Sequence, residues 1–99
     1  MNPTFRQGDV ILVPATVNIS GVKLPHLTLA EGEVTGHRHQ IVDGTAELYE
    51  RDGILYLKVL STTAKLSHEE HHAIDIPQGE WQIRIQREYS PEGWRYVAD

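Results

Sequence analysis

The sequence predicts an all-β fold, a small single-domain antiparallel β-barrel or sandwich, on three observations. Helical periodicity is nearly absent, apolar and polar residues alternate in short runs, and Gly, Pro, Asn and Asp punctuate those runs at close intervals. Ninety-nine residues hold one core and leave no room for a second, so residues 1–99 are read as one β domain. Closing the sheet would also protect its edges.

The elements follow in order. Asp9–Val13 is apolar on both faces and reads as a buried strand stopping at Pro14. Asn18-Ile19-Ser20-Gly21, with Pro25 soon after, marks an irregular connection. His37–Val42 is a short strand entered from Gly32–Gly36 and ended by the turn dipeptide Asp43-Gly44. Thr45–Glu50 and Ile54–Leu60 flank Arg51-Asp52-Gly53, a hairpin with Gly at the left-handed position. Ser67–His72 is the one stretch that could form a helical turn. Ala73–Ile76 alternates, Pro77-Gln78-Gly79 reads as a turn, and Trp81–Tyr89 alternates with Trp81, Ile83 and Ile85 on one face. Ser90-Pro91-Glu92-Gly93 has type I turn residues in order, and Trp94–Val97 returns as the last strand.

Composition narrows the function. With no cysteine, disulfides, thiolate catalysis and cysteine-ligated metal sites are excluded, and a reducing cytoplasm is the expected setting. The start, MNPTFRQGDVILVP, carries no basic n-region before its short apolar run, and no stretch approaches the roughly 20 apolar residues a span needs. No membrane association is expected. A net charge of −5 argues against nucleic acid as a partner and leaves a homo-oligomer or a protein partner open.

Six histidines are the unusual component. His37-Arg38-His39 lies on a predicted strand, where residues two apart share a face, with side chains roughly 7 Å apart. His37, His39 and Ile41 have one parity, so an inward Ile41 brings both imidazoles inward. Ser67-His68-Glu69-Glu70-His71-His72 packs three imidazoles and two carboxylates together, donors suited to Zn²⁺, Fe²⁺, Mn²⁺ or Ni²⁺. On a strand continuing back from Ile74 and Ile76, His72 is the inward residue; on a helical turn, His68 and His71 share a face. His26, isolated after Pro25, reads as a solvated surface residue. His68-Glu69-Glu70-His71-His72 also matches H-E-x-x-H, but that motif needs a helix to stack its histidines. With Ser61-Thr62-Thr63 before it and Pro77 five residues after, no such helix is expected.

Two resemblances follow from these residues. His37-Arg38-His39 with Asp43 four residues on, and Pro77-Gln78-Gly79-Glu80-Trp81-Gln82 later, resemble the two motifs of the cupins, which are small metal-binding β-barrels. Asp43 stands where that family usually has Glu, and Gln82 stands where its last histidine would be; the likeness covers roughly residues 32–86. It implies a barrel whose missing ligand is replaced by His68, His71 or His72. Arg6-Gln7-Gly8-Asp9-Val10, Gly32–His39, His68-Glu69-Glu70-His71 and Gln86-Arg87-Glu88-Tyr89 are similar to a group of short uncharacterised bacterial and phage proteins. That likeness covers nearly the whole chain and implies a compact stand-alone protein.

The leading expectation is therefore a metal-binding β-barrel. His37, His39 and one or two of His68, His71 and His72 are the ligands, with Asp43, Glu69 or Glu70 supplying a carboxylate or orienting a histidine. No nucleophile–base pair or phosphate-cradling loop names a reaction. The alternative is an interaction module, for a protein partner ahead of single-stranded nucleic acid, built on a C-terminal face of Trp81, Tyr89, Trp94 and Tyr96 beside Arg84, Arg87 and Arg95.

Overall fold

The hydrophobic alternation organises one antiparallel sheet that curls into a half-barrel. The computed structural model describes residues 3–16, 18–32, 36–90 and 93–96, the last two strands by their backbone. Its strands are β1 (Phe5–Gln7), β2 (Val10–Pro14), β3 (Val22–Lys23), β4 (Thr28–Glu31), β5 (Arg38–Asp43), β6 (Ala46–Arg51), β7 (Ile54–His68), β8 (His71–Ile85), β9 (Arg87–Ser90) and β10 (Gly93–Tyr96). Among the described residues there is no helix, so the H-E-x-x-H string has no helical scaffold.

Two 15-residue strands, β7 and β8, form the spine. Strand β8 carries β2 and then β1 on its far side, while β7 carries β6 along its first half and β5 then β4 along its second. A sheet whose spine serves different neighbours at its two ends must twist strongly, and the concave side collects the core. Val10, Leu12, Leu48, Leu57, Leu66 and Ile76 are fully buried there, joined by Trp81 and Ile83. The Trp81 indole N–H donates to Pro77 O at 3.0 Å, and its ring packs edge-on against Phe5. Trp81 is thus a core residue and not part of an exposed aromatic face.

Several expectations need correction. The first strand is a hairpin: β1 and β2 pair around the two-residue turn Gly8-Asp9. Strands β3 and β4 were not anticipated, being two and four residues long. Pro77-Gln78-Gly79 is no turn but lies inside β8. Between the pairs Val59↔Gly79 and Thr63↔Pro77, β7 advances four residues and β8 two, so the extra chain bulges out. The bulge is anchored where Leu60 N donates to Thr45 O and Gln78 Nε2 to Leu60 O. A proline is tolerated because the ladder is already broken there.

Ser67–His72 is not a helical turn. His68 pairs with His71 across a two-residue hairpin turn, Glu69-Glu70. Asp52 and Gly53, at φ 53° and 78°, likewise make a two-residue turn of type I′ form, with Arg51 and Ile54 paired in the strands. Trp81–Tyr89 breaks at Gln86, and β9 and β10 form a separate two-stranded sheet. The expected turn at residues 91–92 and the final Val97 lie outside the described residues.

Candidate functional site

Register across three strands assembles the histidines. Gln40 pairs with Ser67, so one step further along His39 on β5 stands beside His68 on β7, and His68 pairs with His71 on β8. The result is a cross-strand row on the concave side. His39 and His68 stack with centroids 4.2 Å apart, and His68 and His71 lie at 4.7 Å. His37, just before β5, meets His68 edge-on at 5.6 Å.

A bulge decides which histidine of the second group turns inward. From Leu66↔Ile74 to His68↔His71, β7 advances two residues and β8 three. The odd residue flips the side-chain parity of β8. His71 is therefore half-buried with the row, whereas His72 is exposed. The inward position that plain alternation assigned to His72 belongs to His71.

The β1–β2 turn closes over this row and supplies two groups that sequence reasoning missed. Gln7 and Asp9 are both buried. The Gln7 amide donates to Leu66 O at 2.9 Å and to His72 O at 2.8 Å. Both its N–H groups are thereby used, so Gln7 Oε1, 2.9 Å from His39 Nδ1, accepts the proton of that nitrogen. Neutral His39 thus carries its proton on Nδ1 and its lone pair on Nε2. That Nε2 lies 3.2 Å from Asp9 Oδ1, yet among the described residues it has no hydrogen-bond partner, because the contact lacks hydrogen-bond geometry. His39 is 2% exposed. Its pKa is pushed below the usual histidine value, first by burial and then by neighbouring His68, against the opposing pull of Asp9.

The remaining side chains divide by position. His68 Nδ1 accepts the Glu70 N–H at 3.0 Å, which puts the proton of a neutral ring on Nε2. His71 Nε2 is buried and has no hydrogen-bond partner among the described residues. Glu69 accepts the Arg38 N–H with both oxygens, at 3.2 and 3.0 Å, tying the hairpin tip to β5. Exposed Glu70 lies 3.7 Å from His37 Nδ1. Asp43 is not brought to the row. It sits at the other end of β5, bonds Gly44 N at 2.8 Å, and lines a surface cavity of about 300 Å³ with Ser61, Thr63, Lys65 and Asp75. His26 is exposed, its Nδ1 accepting from Thr28 N.

Among the described residues, no three His, Asp or Glu side chains are already gathered closely enough to hold a metal ion. The arrangement provides two adjacent donors, His39 Nε2 and Asp9 Oδ1, and a third, His71 Nε2, near at hand. The His39 and His71 centroids are 6.1 Å apart.

One family model matches residues 6–86, and its description is Domain of unknown function (DUF8820). The chain belongs to that family. No curated protein and no solved structure matches it. The DUF8820 match takes in the β1–β2 turn, the histidine row and both long strands, and ends before β9. Tyr89, Trp94, Tyr96, Arg87 and Arg95 fall beyond it, and their side chains lie outside the described residues. Arg84, inside it, is exposed. Among the described residues no helix is long and apolar enough to cross a membrane.

Proposed function

We propose that this DUF8820 domain binds a divalent transition-metal ion, with His39 Nε2 and Asp9 as founding ligands and His71 Nε2 as the third. The observation that carries the reading is the orientation of His39. Gln7 fixes its tautomer from the Nδ1 side, as carbonyl and carboxylate partners do for metal-bound histidines. The lone pair left on Nε2 lies beside a buried carboxylate with no proton well placed between them. Two such acceptors repel unless a cation joins them.

Their spacing suits one. Bonds of about 2.0–2.1 Å to a tetrahedral ion put neighbouring donors about 3.3 Å apart, against the 3.2 Å found. Two imidazoles on such an ion have centroids about 5 Å apart, so His71 must move inward from 6.1 Å. The chemistry of two nitrogens and one oxygen favours Zn²⁺, Fe²⁺, Mn²⁺ or Ni²⁺ over Mg²⁺ or Ca²⁺. His37 and Glu70 border the row and could complete the coordination. Of the cupin pattern this reading keeps His39, while Asp9 takes the acidic place expected of Asp43. A chain without cysteine, and so without disulfides, fits a reducing compartment, and we place the protein in the cytoplasm.

Elemental analysis of protein purified without a histidine tag or metal-affinity resin is the direct test. About one transition-metal ion per chain is expected, falling to background in Asp9→Asn. Metal-free wild-type protein that takes up none of the four ions would end the reading.

A further inference from the structure

Gly8 occupies the turn between Gln7, which orients His39, and the ligand Asp9, at φ 60°. A left-handed turn position explains a glycine by backbone freedom, but here the space matters as well. A Cβ on residue 8 would lie 2.7 Å from His71 Nε2, 3.1 Å from His71 Cδ2 and 3.3 Å from His39 Cε1. Contacts below 3.0 Å between such atoms do not persist, so one partner must shift. His39 is held by Gln7 and buried on all sides, whereas His71 is half-buried and has no hydrogen bond on Nε2 among the described residues. The displaced group would be His71.

We infer that Gly8 is a positioning residue: its missing side chain admits the His71 imidazole to the row beside His39. Resting on the metal reading above, Gly8 also sets which ions the site prefers. With His71 admitted, two nitrogens face one oxygen. With it excluded, one nitrogen and one oxygen remain, a set with little preference for borderline ions over hard ones. Gly8 thus determines specificity without touching the ion.

The test uses full-length Gly8→Asn and Gly8→Ala, with His71→Ala and each double variant. Asn accepts a left-handed φ and so isolates the effect of the Cβ from backbone strain. In metal-free protein, NMR should show the ring-to-ring contact between His39 and His71 in wild type and its loss in Gly8→Asn. Titration with Co²⁺ should show at least a tenfold weaker affinity in Gly8→Asn, with an absorption spectrum matching His71→Ala, while Mg²⁺ affinity changes by less than twofold. Adding Gly8→Asn to His71→Ala should then cost no further Co²⁺ affinity.

A folded Gly8→Asn that keeps the ring contact and binds Co²⁺ within twofold of wild type overturns the inference. If neither Gly8 variant folds, recovery of folding in the His71→Ala background supports it, and failure in both backgrounds overturns it. If wild type takes up no Co²⁺, the metal reading and the ion preference fall together. The ring contact in metal-free protein still decides whether Gly8 positions His71.

Discussion

An imidazole lone pair facing a carboxylate is a costly arrangement in a core, and His39 shows how the cost is directed. Gln7 spends both amide protons on backbone carbonyls of β7 and β8, so its oxygen can do nothing but accept from His39. Replacing it tests that chain of constraint. Gln7→Leu strands the Nδ1–H and removes the amide's hydrogen bonds to Leu66 O and His72 O, which should destabilise the fold by about 1–3 kcal/mol. Metal affinity should fall about 10–100-fold, the usual effect of removing an orienting partner. Denaturant unfolding and Co²⁺ titration measure the two separately. Loss of stability with unchanged affinity would mean that Gln7 supports the sheet and not the tautomer. His39→Ala should abolish stoichiometric metal, whereas His26→Ala, an exposed residue outside the row, should leave it unchanged; equal losses would point to adventitious binding. At this scale His39 was legible, because its parity with buried Ile41 is a local property. Gln7 and Asp9 were not: their partners are 32 and 30 residues away, His39 in both cases, and no local pattern distinguishes a buried Gln from a solvated one.

Among elements, alternation located most strands and failed where the ladder gains residues. The bulge opposite His68 exchanged His71 for His72, and the larger one opposite Pro77 made a turn signal sit inside a strand. Neither can be read from one strand, because a bulge is a mismatch between two. Turns with positive φ were better marked. Asp43-Gly44 and Asp52-Gly53 end strands where expected, and a comparison between their glycines separates two physical effects. A Cβ on Gly53 would meet nothing within 4 Å, while one on Gly44 would lie 2.5 Å from Thr63 O. Gly53→Ala should therefore cost about 1–2 kcal/mol, the left-handed penalty by itself. Gly44→Ala should cost more, because Thr63 O belongs to the backbone of β7 and cannot rotate away. Equal losses in urea unfolding would contradict the close packing of the Asp43-Gly44 turn against β7.

At the scale of the whole molecule, the all-β reading and the single core rest on patterns spread along the entire chain. Far-UV circular dichroism should accordingly show a strand-dominated spectrum with helix below about 15%, against a common globular fraction of roughly 30–35%. A helical double minimum would contradict the fold. The coupling of metal, protons and global stability is the more demanding test, since it involves every ligand at once. In metal-free protein, burial and His68 hold the His39 pKa below its ordinary value of about 6.5. An unfolded chain therefore takes up a proton near pH 6.5 that the native state still refuses. The stability associated with neutral His39 is present above that pH and is lost as pH falls toward the depressed native value. Metal acts in the same direction, because protons and the ion compete for the imidazole lone pairs. At about pH 7.5, free ion at a hundred times its dissociation constant adds about 2.7 kcal/mol, which for a domain of this size raises the thermal midpoint by on the order of 10 °C. A chelator should remove that increment at pH 7.5 and change little at about pH 5, where the site is already largely empty. With chelator present throughout, a residual fall in midpoint between those pH values should shrink in His39→Gln, which isolates the proton contribution from the metal one. A midpoint that ignores chelator at both pH values, and that zinc, nickel, manganese and iron(II) fail to raise, would leave the row as a packed histidine core and remove the metal from the account.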